Sequence, residues 1–186
     1  MVLSAQDMGV LPDEALDFGE DSRHNKFPAS MLLGWDIISQ FCWEFDMNMR
    51  TVKVYPGGIM LKNNSLSWDS FPIININYAG SNYQVGLDCG HTDSFLDSTW
   101  VTRLNNLKES SSVIQGIGSA SEESVKIIDE FAFMIDKTNI TLYDIEILQH
   151  QVYCTTYKLC GLLGADILCG AKWIIDYQSS YFSINK

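Results

Sequence analysis

The chain has 186 residues, 46% hydrophobic and 19% charged, which is long and apolar enough to bury a core and excludes disorder over most of its length. A formal net charge of −11 repels polyanions and therefore excludes nucleic acid as an expected partner. No stretch reaches the ~18 apolar residues of a transmembrane helix, so no membrane partner is expected either.

The cysteines do not form a recognisable framework. There are five, an odd count without a CxxC pair, which argues against a disulfide scaffold and favours a reducing, cytoplasmic compartment. The first ten residues have neither a basic segment nor a long apolar core, so no signal peptide is expected there. One set of potential ligands has spacings that fit no standard zinc pattern, namely His150, Cys154, Cys160 and Cys169. We therefore predict no metal site and no cofactor.

Strand patterns dominate the chain after a polar segment at residues 10–30, which we predict to be a loop. Period-two alternation separated by turn signals, such as Pro56-Gly57-Gly58, is typical of β-hairpins. The predicted strands cover residues 51–55, 65–68, 72–78, 83–87, 125–135, 140–148, 172–176 and 181–184, and residues 59–62 are expected to pair back on the first strand.

Three segments differ from this β pattern. Apolar residues near helical spacing predict a helix over residues 94–107, with Asp93 or Ser94 as its cap. Residues 110–123 are rich in Ser and Gly, which predicts a mobile loop. Residues 165–171 are predicted to form a second, short helix.

A sequence repeat is the most informative regularity. Residues 32–54 read LLGWDIISQFCWEFDMNMRTVKV, and residues 162–184 read LLGADILCGAKWIIDYQSSYFSI. Seven of the 23 positions are identical at a constant offset of 130, which is the size of a domain. The alternative is a chance similarity between two helix-then-strand segments.

The repeat predicts two units, the C-terminal remnant of a first lobe at residues 1–55 and a complete lobe at residues 56–186. Asp88 lies 76 residues before Gly164, and the same distance before Gly34 falls ahead of Met1. We therefore expect the counterpart of Asp88 in the first repeat to precede this chain.

Two short motifs in the second unit resemble a known family. Residues 87–96 read LDCGHTDSFL, and residues 161–168 read GLLGADIL. An Asp-x-Gly element with a Ser behind it, followed later by an apolar-apolar-Gly-x-Asp element, resembles the retropepsin-like aspartic peptidases, the pepsin and retroviral type. The matching residues are Asp88, Gly90, Ser94, Leu162, Leu163, Gly164 and Asp166.

The resemblance implies a mostly β chain whose lobe is a closed barrel with one or two short helices. It implies that Asp88 is catalytic at the tip of a tight loop, where Gly90 lets the backbone turn. The support of that loop would come from Cys89, Gly90, Ser94, Leu163, Gly164 and Asp166. Two residues depart from the family pattern, Cys89 where a Thr or Ser hydroxyl is usual and His91 where a small residue is usual.

In that family, catalysis uses two facing carboxylates that share one proton and activate a water without a covalent intermediate. The expected function is therefore aspartic endopeptidase activity on a polypeptide substrate, with the second carboxylate from a homodimer partner or a missing first lobe. The alternative is a catalytically inactive lobe that serves binding or assembly. Cys89 and His91 favour the alternative, and the intact spacing around Asp88 favours the peptidase.

A flexible hairpin covers the substrate in such a lobe. The glycine-rich residues Gly116, Ile117 and Gly118 are the candidates for its tip, and a plain surface loop is the alternative. Cys89 and His91 also suggest a thiol nucleophile, but no third group that would orient the imidazole is evident in the sequence.

Overall fold

The structure is a computed structural model that describes residues 33–69, 71–116, 119–153 and 157–186. The loop predicted at residues 10–30 lies outside this part of the chain. The elements are helix α1 (Trp35–Ile38) and strands β1 (Phe41–Asp46), β2 (Thr51–Pro56), β3 (Leu66–Asp69), β4 (Phe71–Tyr78), β5 (Ser81–Leu87), β6 (Phe95–Leu96), β7 (Lys108–Gly116), β8 (Ser119–Ile135), β9 (Thr138–Ile147), β10 (Val152–Tyr153), β11 (Lys158–Leu159), β12 (Gly161–Leu163), β13 (Lys172–Asp176) and β14 (Tyr181–Asn185).

Six strands close into a barrel, which confirms the predicted mostly β fold. The larger sheet has the order β3-β4-β5-β12-β6-β9-β8-β7, and the additional pairing of β4 with β8 closes the ring between them. That pairing joins Asn77 to Met134. Closure gives each of these six strands a neighbour on both sides and leaves no free edge within the ring. Among the described residues, no helix is both long enough and apolar enough to cross a membrane.

Alternation along the strands builds the barrel core. On β8, Phe131, Phe133 and Ile135 are buried, while Ala132 and Met134 between them are exposed. The buried residues of β4, β5, β9 and β12 pack into the same cluster, because successive side chains of a strand point to opposite faces.

The short strand β12 lies between β5 and β6 in the barrel, and it determines the surroundings of the residue that follows β5. It runs parallel to β5, where Leu163 is opposite Leu87, and antiparallel to β6, where Leu162 is opposite Phe95. Strand β6 continues the ring by pairing in parallel with β9. The residue that follows β5 is therefore placed beside the carboxyl end of β12.

The second sheet has four strands in the order β14-β13-β1-β2, and it follows the sequence repeat. The hairpins β1–β2 and β13–β14 have the same register at the offset of 130, because Cys42 is opposite Tyr55 and Lys172 is opposite Asn185. Strands β1 and β13 pair antiparallel, with Glu44 opposite Ile174, its own repeat equivalent. The pairing therefore has a local two-fold axis through that residue pair, perpendicular to the sheet.

The prediction of a helix over residues 94–107 is wrong. The chain forms β6 and then a single 3-10 turn at Ser98–Trp100, where the side chain of Asp97 accepts from the N–H of Thr99. The buried indole of Trp100 donates from Nε1 to the carbonyl of Cys160 at 2.7 Å, which anchors the turn to another part of the barrel. Tertiary anchoring thus overrides the helical spacing of the apolar residues.

The prediction of a mobile loop over residues 110–123 is also wrong. Residues 110–116 and 119–123 belong to strands β7 and β8, which pair from Lys108 opposite Ile127 to Gly116 opposite Ser119. Serine does not break a strand when a partner strand accepts its backbone groups, so composition misled the prediction here. The helix predicted over residues 165–171 is a 3-10 turn at Ala165–Ile167, and no strand forms over residues 59–62.

Candidate functional site

Asp88 follows β5 directly, and its backbone is held in place by β12. Its N–H donates to the carbonyl of Leu163 at 2.9 Å, and its own carbonyl accepts from the N–H of His91 at 3.1 Å. The carboxylate Oδ1 accepts a hydrogen bond from the N–H of Gly90 at 2.9 Å. Asp88 is exposed, so these contacts fix a tight turn that presents a carboxylate to solvent.

Gly90 serves this turn for a reason other than the expected one. Its backbone does not adopt the left-handed conformation that favours glycine. A Cβ at this position would instead lie 3.1 Å from the Asp88 Oδ1, which is tighter than ordinary contact. A larger residue would require the carboxylate to shift by a few tenths of an ångström, so glycine leaves the hydrogen bond between Asp88 and Gly90 undisturbed.

The structure brings together Ser94, Gly164 and Asp166, which lie far apart in the sequence. The N–H of Ser94 donates to Asp166 Oδ2 at 2.9 Å, and the Ser94 hydroxyl donates to Asp166 Oδ1 at 2.6 Å. The same hydroxyl oxygen accepts from the N–H of Gly164 at 2.9 Å. Ser94 is buried, so removal of its hydroxyl would leave the N–H of Gly164 without an acceptor and take one donor from Asp166.

The loop that carries Asp88 wraps closely around Gly164. A Cβ on Gly164 would lie 2.7 Å from the carbonyl atoms of Asp93 and 2.8 Å from the carbonyl oxygen of His91. The residues after Gly164 bind the same loop: the N–H of Ala165 donates to the His91 carbonyl at 2.7 Å, and that of Asp166 donates to the Thr92 carbonyl at 3.1 Å. Only glycine fits at the crossing, so the two segments form a rigid unit.

Cys89 and His91, the two departures from the family pattern, lie in this same turn. Cys89 is exposed, but partial desolvation by neighbouring protein atoms raises the pKa of its thiol, and the adjacent Asp88 carboxylate raises it further. The Nδ1 of His91 lies 2.7 Å from the carbonyl of Asp93, which can only accept, so this nitrogen carries the proton. The imidazole also meets the ring of Phe95 edge-on, with the centroids 5.5 Å apart.

Of the three flap candidates, Gly116 is the one that the structure describes. Gly116 is the last residue of β7, while Ile117 and Gly118 lie outside the described residues. The base of the hairpin carries two ion pairs between its strands, Lys108 with Asp129 at 2.5 Å and Lys126 with Glu109 at 3.0 Å. These contacts brace the hairpin where it leaves the barrel.

The potential metal ligands do not gather into a site in the part of the chain that the structure describes. Within those residues, no group of three or more His, Cys, Asp or Glu side chains is placed to hold an ion. Cys154 lies outside the described residues, and Cys42, Cys89, Cys160 and Cys169 are free thiols.

Sequence reasoning missed the backbone partners of the site, which are the carbonyls of Leu163, His91 and Thr92. No side-chain pattern marks them, because they act through main-chain atoms that every residue has. Comparison of the chain with protein-family models and with curated proteins found no match. The closed barrel with few helices is nevertheless compatible with a retropepsin-like lobe.

Proposed function

We propose that this chain supplies one half of an aspartic endopeptidase of the retropepsin-like family, with Asp88 as one of two carboxylates that activate water. The supporting observation is the coupling of the Asp88 loop to residues 162–166. Leu163 holds the N–H of Asp88, and Ser94 ties Gly164 and Asp166 to the same loop. These contacts join the two motifs on which the resemblance to the family depends.

The chemistry requires a second carboxylate that faces Asp88. Two carboxylates within hydrogen-bonding distance of each other cannot both ionise, because like charges repel. The pair therefore holds one proton and titrates as a unit. The ionised member takes a proton from the water that attacks the scissile carbonyl carbon, and the protonated member donates to the carbonyl oxygen. Asp88 is exposed, so a carboxylate from a partner lobe has access to it.

We propose further that the β7–β8 hairpin covers a polypeptide substrate, with residues 116–118 at its tip. The strand β7 has nine residues, which is enough for a hairpin with a length of roughly 30 Å. Its ion-paired base and glycine-containing end are suited to a cover that opens and closes about a fixed root.

A second candidate function is a catalytically inactive lobe that serves binding or assembly. The observation that favours it is Cys89, where the family has a hydroxyl that bridges the two catalytic loops. A thiol is a weaker hydrogen-bond donor than a hydroxyl. A lobe that has lost this bridge would keep its fold and lose the alignment of the carboxylate pair.

The test is cleavage of an unfolded substrate such as casein by the full chain, from acidic to neutral pH and over a range of protein concentrations. The Asp88→Asn variant should abolish cleavage, because an amide cannot act as the general base. Asp93→Asn is the matched control, since this exposed carboxylate lies in the same loop and should leave cleavage unchanged.

Equal cleavage by wild type and Asp88→Asn would contradict the proposal. Absence of cleavage by the folded chain at every concentration would favour the non-catalytic function.

A further inference from the structure

His91 joins the turn that presents Asp88 to the segment that the loop encloses. Its N–H donates to the carbonyl of Asp88 at 3.1 Å, which closes the turn. Its own carbonyl oxygen accepts from the N–H of Ala165 at 2.7 Å, and the same oxygen would lie 2.8 Å from a Cβ on Gly164. The main chain of this one residue therefore bonds to the carboxylate turn on one side and to the segment after β12 on the other.

The side chain of His91 makes a third connection, which reaches forward along the loop. Its Nδ1 donates to the carbonyl of Asp93 across 2.7 Å. The carbonyl of Asp93 is the other main-chain group that crowds Gly164, at 2.7 Å from the position where a Cβ would begin. Both carbonyls that enclose Gly164 thus take part in hydrogen bonds of His91, one as its own acceptor and the other as the acceptor of its ring.

A barrel strand supports the imidazole from the side. The ring meets Phe95 edge-on, with an interplanar angle of 72° and the centroids 5.5 Å apart, which is a favourable arrangement for two aromatic rings. Phe95 belongs to β6, where it is opposite Leu162 of β12. The contact limits rotation of the His91 side chain and keeps Nδ1 directed at Asp93.

The bond from His91 to Asp93 does not require one charge state of the ring. A neutral imidazole with its proton on Nδ1 donates from that nitrogen, and an imidazolium carries an N–H on both nitrogens. The connection is therefore available at acidic as well as neutral pH.

We infer that His91 is a positioning residue for the Asp88 carboxylate, and that its imidazole acts through the carbonyl of Asp93. By fixing the loop around Gly164, the ring determines where the Asp88 turn lies relative to β12. Cys89 offers only a weak donor to a facing loop, so the alignment of Asp88 depends on contacts within its own lobe. The inference rests on the proposed function for its kinetic consequence, and its structural consequence is measured separately.

The alternative is that the main-chain bonds alone hold the turn and that the imidazole is dispensable. Three variants of the full chain separate the two possibilities, and all three keep the main-chain bonds. His91→Ala removes the ring donor. His91→Asn restores a side-chain N–H at the position of Nδ1, and His91→Gln, the matched control, carries the same amide one methylene further from the backbone.

Hydrogen exchange measures the positioning without reference to catalysis. In His91→Ala and His91→Gln, the amides of Ala165 and Asp166 should exchange roughly 3–10-fold faster than in the wild type, because the loop carbonyls that accept from them are no longer fixed. In His91→Asn they should exchange at close to the wild-type rate. The amides of β8 and β9 should be unchanged in all three variants, which shows that the effect is local.

Cleavage of casein measures the catalytic consequence. His91→Ala should lower kcat by about 10–100-fold and leave KM almost unchanged, because a displaced carboxylate impairs the chemical step and not the binding of substrate. His91→Asn should recover most of the lost kcat, and His91→Gln should not.

Wild-type exchange of Ala165 and Asp166 in His91→Ala would overturn the inference. So would equal behaviour of His91→Asn and His91→Gln, or faster exchange that leaves the kcat of a cleaving chain unchanged. If the wild-type chain does not cleave casein, that result counts against the proposed peptidase, and the exchange rates alone decide whether His91 positions the Asp88 turn.

Discussion

Gly34 and Gly164 are equivalent residues of the two repeats, but only at Gly164 do backbone atoms occupy the position where a side chain would begin. A Cβ on Gly164 would lie 2.7 Å from the main chain of Asp93. Within the described part of the chain, the atom nearest to a Cβ on Gly34 would be Oδ1 of Asp36 at 2.6 Å, the end of an exposed side chain that can turn away. The same residue is thus enclosed in one repeat and open in the other.

Substitution of these two glycines should have unequal effects on stability. Gly164→Ala forces the Asp88 loop away from residues 162–166, which we expect to cost about 1–3 kcal/mol or more of unfolding free energy. Gly34→Ala should change it by less than about 1 kcal/mol, because only the Asp36 side chain must move. Chemical denaturation of both variants measures the difference. Equal losses would show that the enclosure of Gly164 contributes nothing.

The Ser94 hydroxyl should be a main source of rigidity in the site. Ser94→Ala leaves the N–H of Gly164 without its acceptor and removes a donor to Asp166, which we expect to cost about 1–3 kcal/mol. Ser111→Ala, in the exposed part of β7, is the matched control and should be close to neutral. Thermal unfolding monitored by circular dichroism measures both, and a neutral Ser94→Ala would show that the network does not stabilise the fold.

Alkylation of Cys89 should report the charge of Asp88. The neighbouring carboxylate contributes to the raised pKa of the Cys89 thiol, so Asp88→Asn should lower that pKa and increase the thiolate fraction at a given pH. Below its pKa the group is a protonated thiol and reacts slowly, and the rate rises with pH. Iodoacetamide should therefore modify Cys89 roughly 2–5-fold faster in the variant at mildly alkaline pH.

Asp93→Asn is the control for this measurement, because the Asp93 carboxylate is not among the causes of the raised Cys89 pKa. Mass spectrometry of the modified peptide separates Cys89 from the exposed thiol of Cys169. A rate that is the same in Asp88→Asn and wild type would mean that the two side chains do not interact.

Asp176 should hold the connection between β2 and β3 against the four-stranded sheet. Its buried carboxylate accepts from the N–H groups of Gly58 (2.9 Å) and Met60 (3.2 Å) and from the hydroxyl of Ser179 (3.1 Å). Asp176→Ala should cost roughly 3 kcal/mol, because three hydrogen-bond donors lose a buried carboxylate acceptor.

Its repeat equivalent Asp46 provides the control. Asp46 accepts from the exposed N–H of Met49 at 2.9 Å, so Asp46→Ala should cost about 1 kcal/mol or less. Urea denaturation compares the two variants. A larger loss for Asp46→Ala than for Asp176→Ala would contradict the ranking.

The sequence predicted the strands well where local patterns determine them. Residues 172–176 and 181–184 form β13 and β14 because alternation and a short turn specify a hairpin without help from elsewhere. The helix predicted at residues 94–107 failed because distant partners decide that segment, above all the contact of Trp100 with Cys160. The left-handed backbone of Asp144, where β9 changes its buried face between Leu142 and Ile145, was equally invisible.

The motifs singled out residues of the candidate site but not the way they assemble. The structure joins Ser94, Gly164 and Asp166 by hydrogen bonds, and Asp88 is connected to them through the carbonyl of Leu163. The insertion of β12 between β5 and β6 could not be read from the sequence, because three residues of strand carry no register information and the pairing joins distant parts of the chain.

The hydrogen bond between Asp88 and Leu163 has a consequence for the order of events during synthesis. Leu163 follows Asp88 by 75 residues, so residues 89–163 must be synthesised before the N–H of Asp88 can meet its acceptor. Contacts so distant in sequence form slowly, because the intervening chain must first be ordered. The turn that presents the Asp88 carboxylate therefore cannot be completed while the growing chain ends short of residue 163.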